Sequence, residues 1–326
     1  MRADEPRKIT PSECAELLLK IERPLILCHV RPDGDTLGTA VALAEVFAAL
    51  GKKAELACAH PVPERLGFIT EGYSLAEDTD NRVAVAVDVA SPGQLGALAE
   101  RDIEVACVID HHASSTPFAP HFTVGEASSA AEALYDVIEA LMSRGLSVMN
   151  ERVAKALYTA ISSDTGCFCY SNSTPKAHMI AASLLAYGFD AADINHRLFH
   201  SHTKEQIVAE SYVGSHLNTA FGGRVAYFTL TLDELNCLGL SPEHFETAVD
   251  VVRSLRGVEI AITAKEVNAG EFKLSLRSTG PAVSEVAAHF GGGGHLRAAG
   301  LTIRSDNIED AISQVLDRVA LLLTHQ

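Results

Sequence analysis

Side chains that bind divalent metals occur at four places in the first half of this sequence. They lie in residues 29–35 (His-Val-Arg-Pro-Asp-Gly-Asp), at Asp88, in residues 110–112 (Asp-His-His) and at Asp164. Carboxylate oxygens and neutral imidazole nitrogens are common ligands of such ions. One ion takes three or four of these groups, and this set is large enough for two. The sequence therefore predicts a two-metal site.

Each of these places, taken alone, also fits an ordinary turn or the end of an element. Residues 32–35 read Pro-Asp-Gly-Asp, and Asp and Gly are frequent in turns. Asp88 and Asp164 could each cap or end an element, and the adjacent His111 and His112 could be a half-buried pair. The metal interpretation is favoured because all four places follow the end of a predicted element, which unrelated turns would rarely produce.

The elements that must position these side chains alternate between strand and helix. Short apolar runs typical of buried strands and segments with helical spacing follow one another along the first half of the chain. The predicted strands are 25–30, 83–88 and 105–110, and the predicted helices are 36–50 (with Thr36 as its cap), 128–141 and 150–164. Such alternation predicts an α/β fold, a mostly parallel sheet with helices on both faces. Ligands of such sheets bind beyond the carboxyl ends of the strands, where the metal-binding side chains would converge.

A second, smaller α/β domain is expected in the rest of the chain, because 326 residues exceed the usual size of one hydrophobic core. Residues 191–222 are helical and polar in pattern and are interpreted as a connector. The predicted organisation is a metal-binding domain at 1–190, the helical connector at 191–222 and a substrate-binding domain at 223–326. In the last domain, strands are predicted at 224–232, 258–267 and 271–277, and helices at 284–290 and 308–323.

A run of four glycines precedes His295 and Arg297 in the second domain. Without side chains, the backbone N–H groups of Gly292, Gly293 and Gly294 could approach a phosphate closely. A flexible turn is the alternative, but the histidine and arginine that follow favour a loop shaped for a ligand. At the end of a predicted strand, Arg277 and Ser278 could face the same ligand.

The formal net charge of −16 argues against a surface for long duplex nucleic acid, which needs clustered Lys and Arg. A small anionic substrate remains compatible, because bound cations reverse the local field. No Gly-x-x-x-x-Gly-Lys loop for a nucleoside triphosphate occurs. Seven cysteines without framework spacing indicate a reducing compartment. Because neither a signal-type run nor a membrane-length apolar stretch is present, we expect a cytoplasmic protein without a membrane partner.

Together, these motifs resemble the DHH phosphoesterase superfamily, which is named for the Asp-His-His triplet. Within it, the chain is most similar to the nano-RNase and pAp-phosphatase branch, in which a DHH-associated domain follows the metal-binding domain. The matching segments, which together extend over nearly the whole chain, are residues 29–35, Asp88, residues 110–112, Asp164, residues 275–278 and residues 291–300.

The resemblance implies a metal-dependent hydrolase with two divalent ions, expected to be Mn²⁺. The first ion would be bound by His29, Asp33 and Asp88, and the second by Asp35, Asp88, His111 and Asp164. Asp88 would therefore bridge the two ions, which would activate a water molecule for attack on phosphorus.

The resemblance also assigns catalytic and substrate-binding residues. His112 would contact the scissile phosphate or help to protonate the leaving oxygen, and Asp110 would orient a histidine that binds a metal ion. Arg277 and His295, with the glycine loop, would bind the terminal phosphate. The expected substrates and partners are short single-stranded RNA oligonucleotides, cut to mononucleotides, and nucleotide bisphosphates such as 3′-phosphoadenosine 5′-phosphate (pAp), converted to AMP. The sequence leaves a homodimer open.

Three other functions are compatible with some of the same motifs. A linear or cyclic dinucleotide phosphodiesterase is close to the expected activity, and the sequence does not exclude it. A manganese inorganic pyrophosphatase shares the metal motifs but is expected to lack the glycine-histidine loop. From a different class, a catalytically silent nucleotide sensor is disfavoured because a sensor need not keep every metal ligand.

Overall fold

The computed structural model describes residues 6–76 and 78–324, with the side chain of His295 left aside. The chain divides into two compact units, Met1–Ser201 and His202–Gln326. This division falls inside the segment predicted as a connector, and the three-part boundaries at 190 and 222 stay predictions. No helix among the described residues combines the length and apolar character needed to cross a membrane.

The first unit is built on a five-stranded parallel sheet. Its strands are β1 (Pro24–Leu27), β2 (Glu55–Ala57), β3 (Val83–Val87), β4 (Glu104–Asp110) and β5 (His121–Thr123), in the order β2-β1-β3-β4-β5. Its helices are α1 (Pro11–Lys20), α2 (Gly34–Ala49), α3 (Ala130–Met142), α4 (Glu151–Asp164), α5 (Pro175–Leu185) and α6 (Ala191–Phe199). The parallel α/β sheet predicted from the sequence is confirmed.

Burial on both faces of this sheet explains the apolar strands. Alternate residues such as Val85 and Ile109 face a core that they share with the α-helices. Their neighbours, such as Ala84 and Val108, pack on the other face against Leu95 of the 3₁₀ segment Pro92–Glu100. With both faces covered, polar side chains of the strands are restricted to the strand ends.

One predicted helix cap is wrong. Asp33, not Thr36, caps α2, and its side chain accepts hydrogen bonds from the backbone N–H groups of Asp35 (3.0 Å) and Thr36 (3.1 Å). The Thr36 hydroxyl instead donates to the carbonyl oxygen of Val87 (3.1 Å). The helix therefore starts earlier than expected, and Asp35 lies in its first turn. The predicted cap at Asn150 is confirmed, since its side chain accepts from two N–H groups at the start of α4.

The second unit contains a six-stranded mixed sheet in the order β10-β11-β9-β8-β7-β6. Its strands are β6 (Asn218–Ala220), β7 (Val225–Leu230), β8 (Ile260–Asn268), β9 (Glu271–Ser278), β10 (Gly293–His295) and β11 (Ala298–Arg304). Its helices are α7 (Lys204–Ser215), α8 (Leu232–Leu238), α9 (Ala248–Arg253), α10 (Val283–His289) and α11 (Ile308–Thr324). Only β7 and β8 pair in parallel.

The glycine-rich segment, predicted as a loop shaped for a ligand, is partly a strand. Gly293 and Gly294 lie in β10, which pairs antiparallel with β11 at the sheet edge. Gly294 has φ +137°, and a Cβ there would lie 2.8 Å from the Cα of Ala299. Gly294 therefore permits close packing of the two backbones, a requirement that amino-acid composition alone does not distinguish from phosphate binding.

Candidate metal centre

Asp35 is held at the meeting point of two helix N-termini. It lies in the first turn of α2, and its side chain is buried. The carboxylate accepts hydrogen bonds from the backbone N–H groups of Ala130 (2.7 Å) and Ala131 (3.3 Å) at the start of α3. Thr39, one helical turn along α2, adds a bond from its hydroxyl (3.0 Å). The start of α3 thus fixes the direction in which Asp35 points.

Asp88 is the first residue after β3 and has an unusual backbone. Its φ is +58°, in the left-handed region that few residues other than Gly, Asn and Asp adopt. Its backbone N–H is bonded to the carbonyl oxygen of Ile109 (2.9 Å), which holds this conformation. The carboxylate is buried, and its Oδ1 has no hydrogen-bond partner within the described part of the chain. Strain and an orphaned buried oxygen at one residue are characteristic of a functional site.

Two histidines are oriented by backbone carbonyl groups. Nδ1 of His29 donates to the carbonyl oxygen of Val30 (2.9 Å), and Nδ1 of His111 donates to that of Ala127 (3.3 Å). Because a carbonyl oxygen can only accept, each Nδ1 carries a proton. In the neutral form of each ring, the lone pair is therefore on Nε2, the atom that would bind a metal.

The two Nε2 atoms face separate groups of carboxylates that share Asp88. Nε2 of His29 lies 3.3 Å from Oδ2 of Asp88 and 3.6 Å from Asp33. Nε2 of His111 lies 3.5 Å from the other oxygen of Asp88, Oδ1. His111 is also 3.7 Å from Asp35 and 3.9 Å from Asp164. Asp88 thus presents one oxygen to each group, the arrangement of a bridging carboxylate.

The third histidine makes a different contact. Nδ1 of His112 donates to Oδ1 of Asp110 at 2.7 Å. Asp110 is fully buried at the end of β4, and its second oxygen, Oδ2, has no hydrogen-bond partner among the described residues. A buried carboxylate on Nδ1 stabilises the protonated ring and orients it. Because Nδ1 is engaged by Asp110, Nε2 is the nitrogen of His112 suited to proton transfer.

The charges in this group shift several pKa values away from their usual range. Burial opposes protonation of His29, but the carboxylates of Asp33 and Asp88 outweigh it and raise its pKa to about 11. The same balance, dominated by Asp88, raises the pKa of His111. Burial raises the pKa of Asp164 to about 7, an effect that His111 opposes and that Asp33 and Asp88 increase.

The pKa values of the two buried carboxylates Asp35 and Asp88 are shifted in opposite directions. Burial and the charge of Asp88 raise the pKa of Asp35 well above its usual value. Burial would also raise the pKa of Asp88, but contacts with His111 and His29 lower it overall. The negative charge of these carboxylates is therefore only partly balanced by the histidines beside them.

The residues present fit divalent cations. Within the described residues, three sets of ligand atoms lie close enough together to hold an ion: His29 with Asp33 and Asp88, Asp35 with His111 and Asp164, and Asp88 with His111 and His112. A cation would supply a partner for the orphaned oxygen of Asp88 and relieve the repulsion that raises the pKa of Asp35. The mixture of carboxylate and imidazole groups suits divalent metal ions.

Several residues that support this site were not predicted from the sequence. Thr39 and the start of α3 bind Asp35, and Asn172 donates to Asp164. The apolar helix that follows Ser128 could have indicated an anion-binding N-terminus. No local pattern indicates Asn172. Its partner Ser128 is distant in the sequence, and its partner Asp164 is reached only because the loop after α4 folds back.

The predicted substrate-binding residues lie on adjoining strands of the second unit. Arg277 pairs with Ala298 across β9 and β11, and the N–H of Ser278 donates to the carbonyl oxygen of Arg297 (2.9 Å). The Ser278 hydroxyl donates to the carbonyl oxygen of Pro281, so this proton is already used within the protein. The side chain of His295 lies outside what the structure describes.

Comparison with known proteins agrees with this architecture. The DHH family N-terminal domain matches residues 23–161, and the DHHA1 domain matches residues 222–321. A protein of Thermus thermophilus named bifunctional oligoribonuclease and PAP phosphatase NrnA is 31% identical over 324 residues, which cover 95% of this chain and 93% of the relative. The chain belongs to the DHH family. The resemblance drawn from the motifs is therefore confirmed.

Two further similarities extend the comparison within the DHH family. A protein of Bacillus subtilis with the same name is 26% identical over 292 residues, which cover 87% of this chain and 90% of the relative. The crystal structure of an exopolyphosphatase-related protein from Bacteroides fragilis covers 96% of this chain and 97% of its own, with a TM-score of 0.86 and 23% identity. At that identity, the structural similarity supports the fold.

Proposed function

We propose that this DHH family protein hydrolyses short RNA oligonucleotides to mononucleotides and pAp to AMP. The observation that carries the proposal is the placement of Asp88, which presents its two oxygens to His29 on one side and His111 on the other. The names of the Thermus and Bacillus relatives supply the substrate class. Similarity extends over both units, so it includes the parts that would bind metal and substrate.

Two divalent ions, proposed to be Mn²⁺, would be held by the residues predicted from the sequence. His29, Asp33 and Asp88 would hold one, and Asp35, Asp88, His111 and Asp164 the other. When bound, such a pair lowers the pKa of water and neutralises charge on phosphoryl oxygens. Asp35, Asp88 and His111 are buried, which limits the access of bulk water to this side of the site.

His112 is proposed to donate a proton to the leaving oxygen. Burial opposes protonation of this ring, but the carboxylate of Asp110 outweighs it and raises the pKa, which favours the protonated form that a general acid needs. The bond from Nδ1 to Asp110 fixes the ring plane and leaves transfer to Nε2. Asp110 therefore acts through His112 and need not contact the substrate.

Substrate binding by the second unit is proposed for Arg277, Arg297, His295 and the adjoining Gly292 to Gly294. One N–H of the Arg277 guanidinium donates to the carbonyl oxygen of Leu276 (3.0 Å), and this group has four further donors. Strand β10 is at the sheet edge, where part of the backbone is not paired within the sheet. Short anionic substrates suit a chain with a net charge of −16 better than long strands do. A cytoplasmic location and a homodimer stay predictions.

Hydrolysis of a defined substrate panel tests the proposal. The purified full chain with Mn²⁺ is offered pAp, RNA oligomers from two to about twenty-four residues, a cyclic dinucleotide and pyrophosphate, a panel that separates the activities known for two-metal sites. We expect release of mononucleotides from the shortest RNAs and of AMP from pAp, with slower cleavage of long RNA. Consumption of pyrophosphate alone would contradict the proposal, and binding of nucleotides without any hydrolysis would support a sensor.

A further inference from the structure

Asn172 connects the two carboxylates that are farthest apart in the sequence among the ligands proposed for the second ion. Its side-chain nitrogen Nδ2 lies 3.3 Å from Oδ2 of Asp164, 3.0 Å from the backbone carbonyl oxygen of Asp164, and 2.9 Å from the carbonyl oxygen of Ser128. All three partners are acceptors, so the amide must direct its nitrogen towards them. One side chain thus joins the end of α4 to the residues that precede α3.

The second half of this connection runs through the start of α3. Ser128 is fully buried, and both its N–H and its hydroxyl donate to the carboxylate of Glu132 in the first turn of the helix. Two residues after Ser128, the N–H of Ala130 donates to Asp35 (2.7 Å). Asp164 is therefore connected to Asp35 by the hydrogen bonds of Asn172, the short backbone segment from Ser128 to Ala130, and the hydrogen bond from Ala130.

The loop that carries Asn172 is itself well ordered by backbone bonds. It leaves α4 through Cys167 and Phe168, both with positive φ, and returns towards the helix end. The N–H of Tyr170 donates to the carbonyl oxygen of Thr165 (2.9 Å), and that of Ser173 to Tyr170 (3.1 Å). This compact fold of residues 165–174 brings Asn172 back to Asp164, eight residues earlier in the chain.

The hydrogen bond from Asn172 uses one lone pair of Oδ2 and leaves the carboxylate turned towards His111, 3.9 Å away. We infer that Asn172 is a positioning residue that sets the orientation of Asp164 for the second metal ion. This inference rests on the proposed function, since it requires two ions. The inferred role concerns the second ion alone, because the hydrogen-bond partners described for Asn172 are Ser128 and Asp164 and not His29, Asp33 or Asp88.

Titration with Mn²⁺ alone tests this role without any substrate. The electron paramagnetic resonance signal of free Mn²⁺ gives the number and affinity of bound ions in the full chain. We expect two ions per chain in the wild type. In Asn172→Ala, one ion should keep its affinity and the other should bind about ten- to a hundred-fold more weakly, the usual effect of removing a group that orients a metal ligand.

Asn195 provides a matched control in the same unit. Its side chain also bonds to α4, donating to the hydroxyl of Tyr158 (3.1 Å) and accepting from that of Ser162 (2.6 Å), but it touches no proposed ligand. Asn195→Ala should lose thermal stability and keep both affinities. An equal loss of affinity for one ion in both variants would show a general loss of packing and overturn the inference. Should Asn172→Ala unfold, Asn172→Leu keeps the branched shape without the donors and is expected to give the same titration.

The outcomes separate this inference from the proposed activity. Two ions in the wild type with selective weakening in Asn172→Ala support the positioning role even if no nucleotide is hydrolysed. A wild type that binds a single ion overturns the positioning role, whatever the substrate panel shows. Unchanged binding of both ions in Asn172→Ala and Asn172→Leu overturns it as well.

Discussion

Gly38 of α2 lies directly against Ala160 of α4, so that a Cβ at residue 38 would be 2.8 Å from the Cβ of Ala160. The contact lies one turn from each of two proposed ligands, because Asp35 precedes Gly38 by three residues and Asp164 follows Ala160 by four. The missing side chain therefore sets how closely the two helices, and with them the two carboxylates, approach each other.

The variant Gly38→Ala is expected to weaken binding of the second ion. Alanine favours a helix over glycine by about 1 kcal/mol, but here the methyl group would force α2 and α4 apart. We expect a lower melting temperature and a reduced affinity for one of two Mn²⁺ ions. Gly214→Ala is the control, because Gly214 lies in α7 with no atom within 4 Å of an added Cβ. It should raise the melting temperature; the same gain in Gly38→Ala would contradict the packing argument.

Asp88→Asn is expected to abolish the bridge between the ions. Asparagine tolerates a positive φ, so the backbone at φ +58° can be kept while one anionic oxygen is lost. Loss of several kcal/mol of transition-state stabilisation predicts a fall in hydrolysis of about a thousand-fold or more, together with fewer bound Mn²⁺ ions. The exposed Asp102 provides the control variant Asp102→Asn. Near-normal activity in Asp88→Asn would be incompatible with the proposed site.

Metal binding is expected to release protons at neutral and mildly alkaline pH. The neighbouring carboxylates raise the pKa of His29 to about 11, so its ring is protonated in the metal-free protein. A metal ligand must be neutral imidazole, so binding displaces this proton and the affinity for Mn²⁺ rises with pH. Calorimetry at about pH 8 in buffers of different ionisation enthalpy should show the release, with about one proton fewer in His29→Gln. His289→Gln is the control, and a heat of binding independent of buffer would contradict the prediction.

Asp110→Asn should slow cleavage to an extent that depends on the leaving group of the substrate. The buried carboxylate favours the protonated form of His112, and only a poor leaving group needs that proton. We expect a loss of about a hundred-fold or more on RNA and a much smaller loss on a nitrophenyl ester of a nucleotide. Equal losses on both substrates, or loss of bound Mn²⁺, would instead indicate that Asp110 supports the site as a whole.

Arg277→Ala should raise KM for short RNA about ten-fold or more, since a hydrogen bond between charged groups contributes about 1.5–3 kcal/mol. Metal content should not change, because Arg277 belongs to the second unit and every residue proposed as a ligand belongs to the first. The control is Arg304→Ala, which removes the same charge at the exposed end of β11. Equal changes in KM in the two variants would show a general electrostatic effect and not a specific contact.

The sequence by itself determined the α/β class of the first unit and which side chains are candidates for metal binding. These properties depend on local patterns: apolar runs form buried strands, and Asp or His directly after them lies near the strand end. The types and positions of His29, Asp88 and His111 in the sequence therefore identify them as candidates. The start of α2 could not be assigned correctly, because both Asp33 and Thr36 have side chains suited to a cap.

Only the tertiary structure decided which side chains contact each other in the site and which residues hold them in place. The division of the Asp88 oxygens between His29 and His111, and the bonds of Asn172, join residues that are separated by tens of positions or that meet through a folded loop. Gly294 of β10 likewise reveals its packing role only once β11 is beside it. Hydrogen-bond direction and backbone approach depend on distances between remote segments, and these distances are fixed when the cores pack.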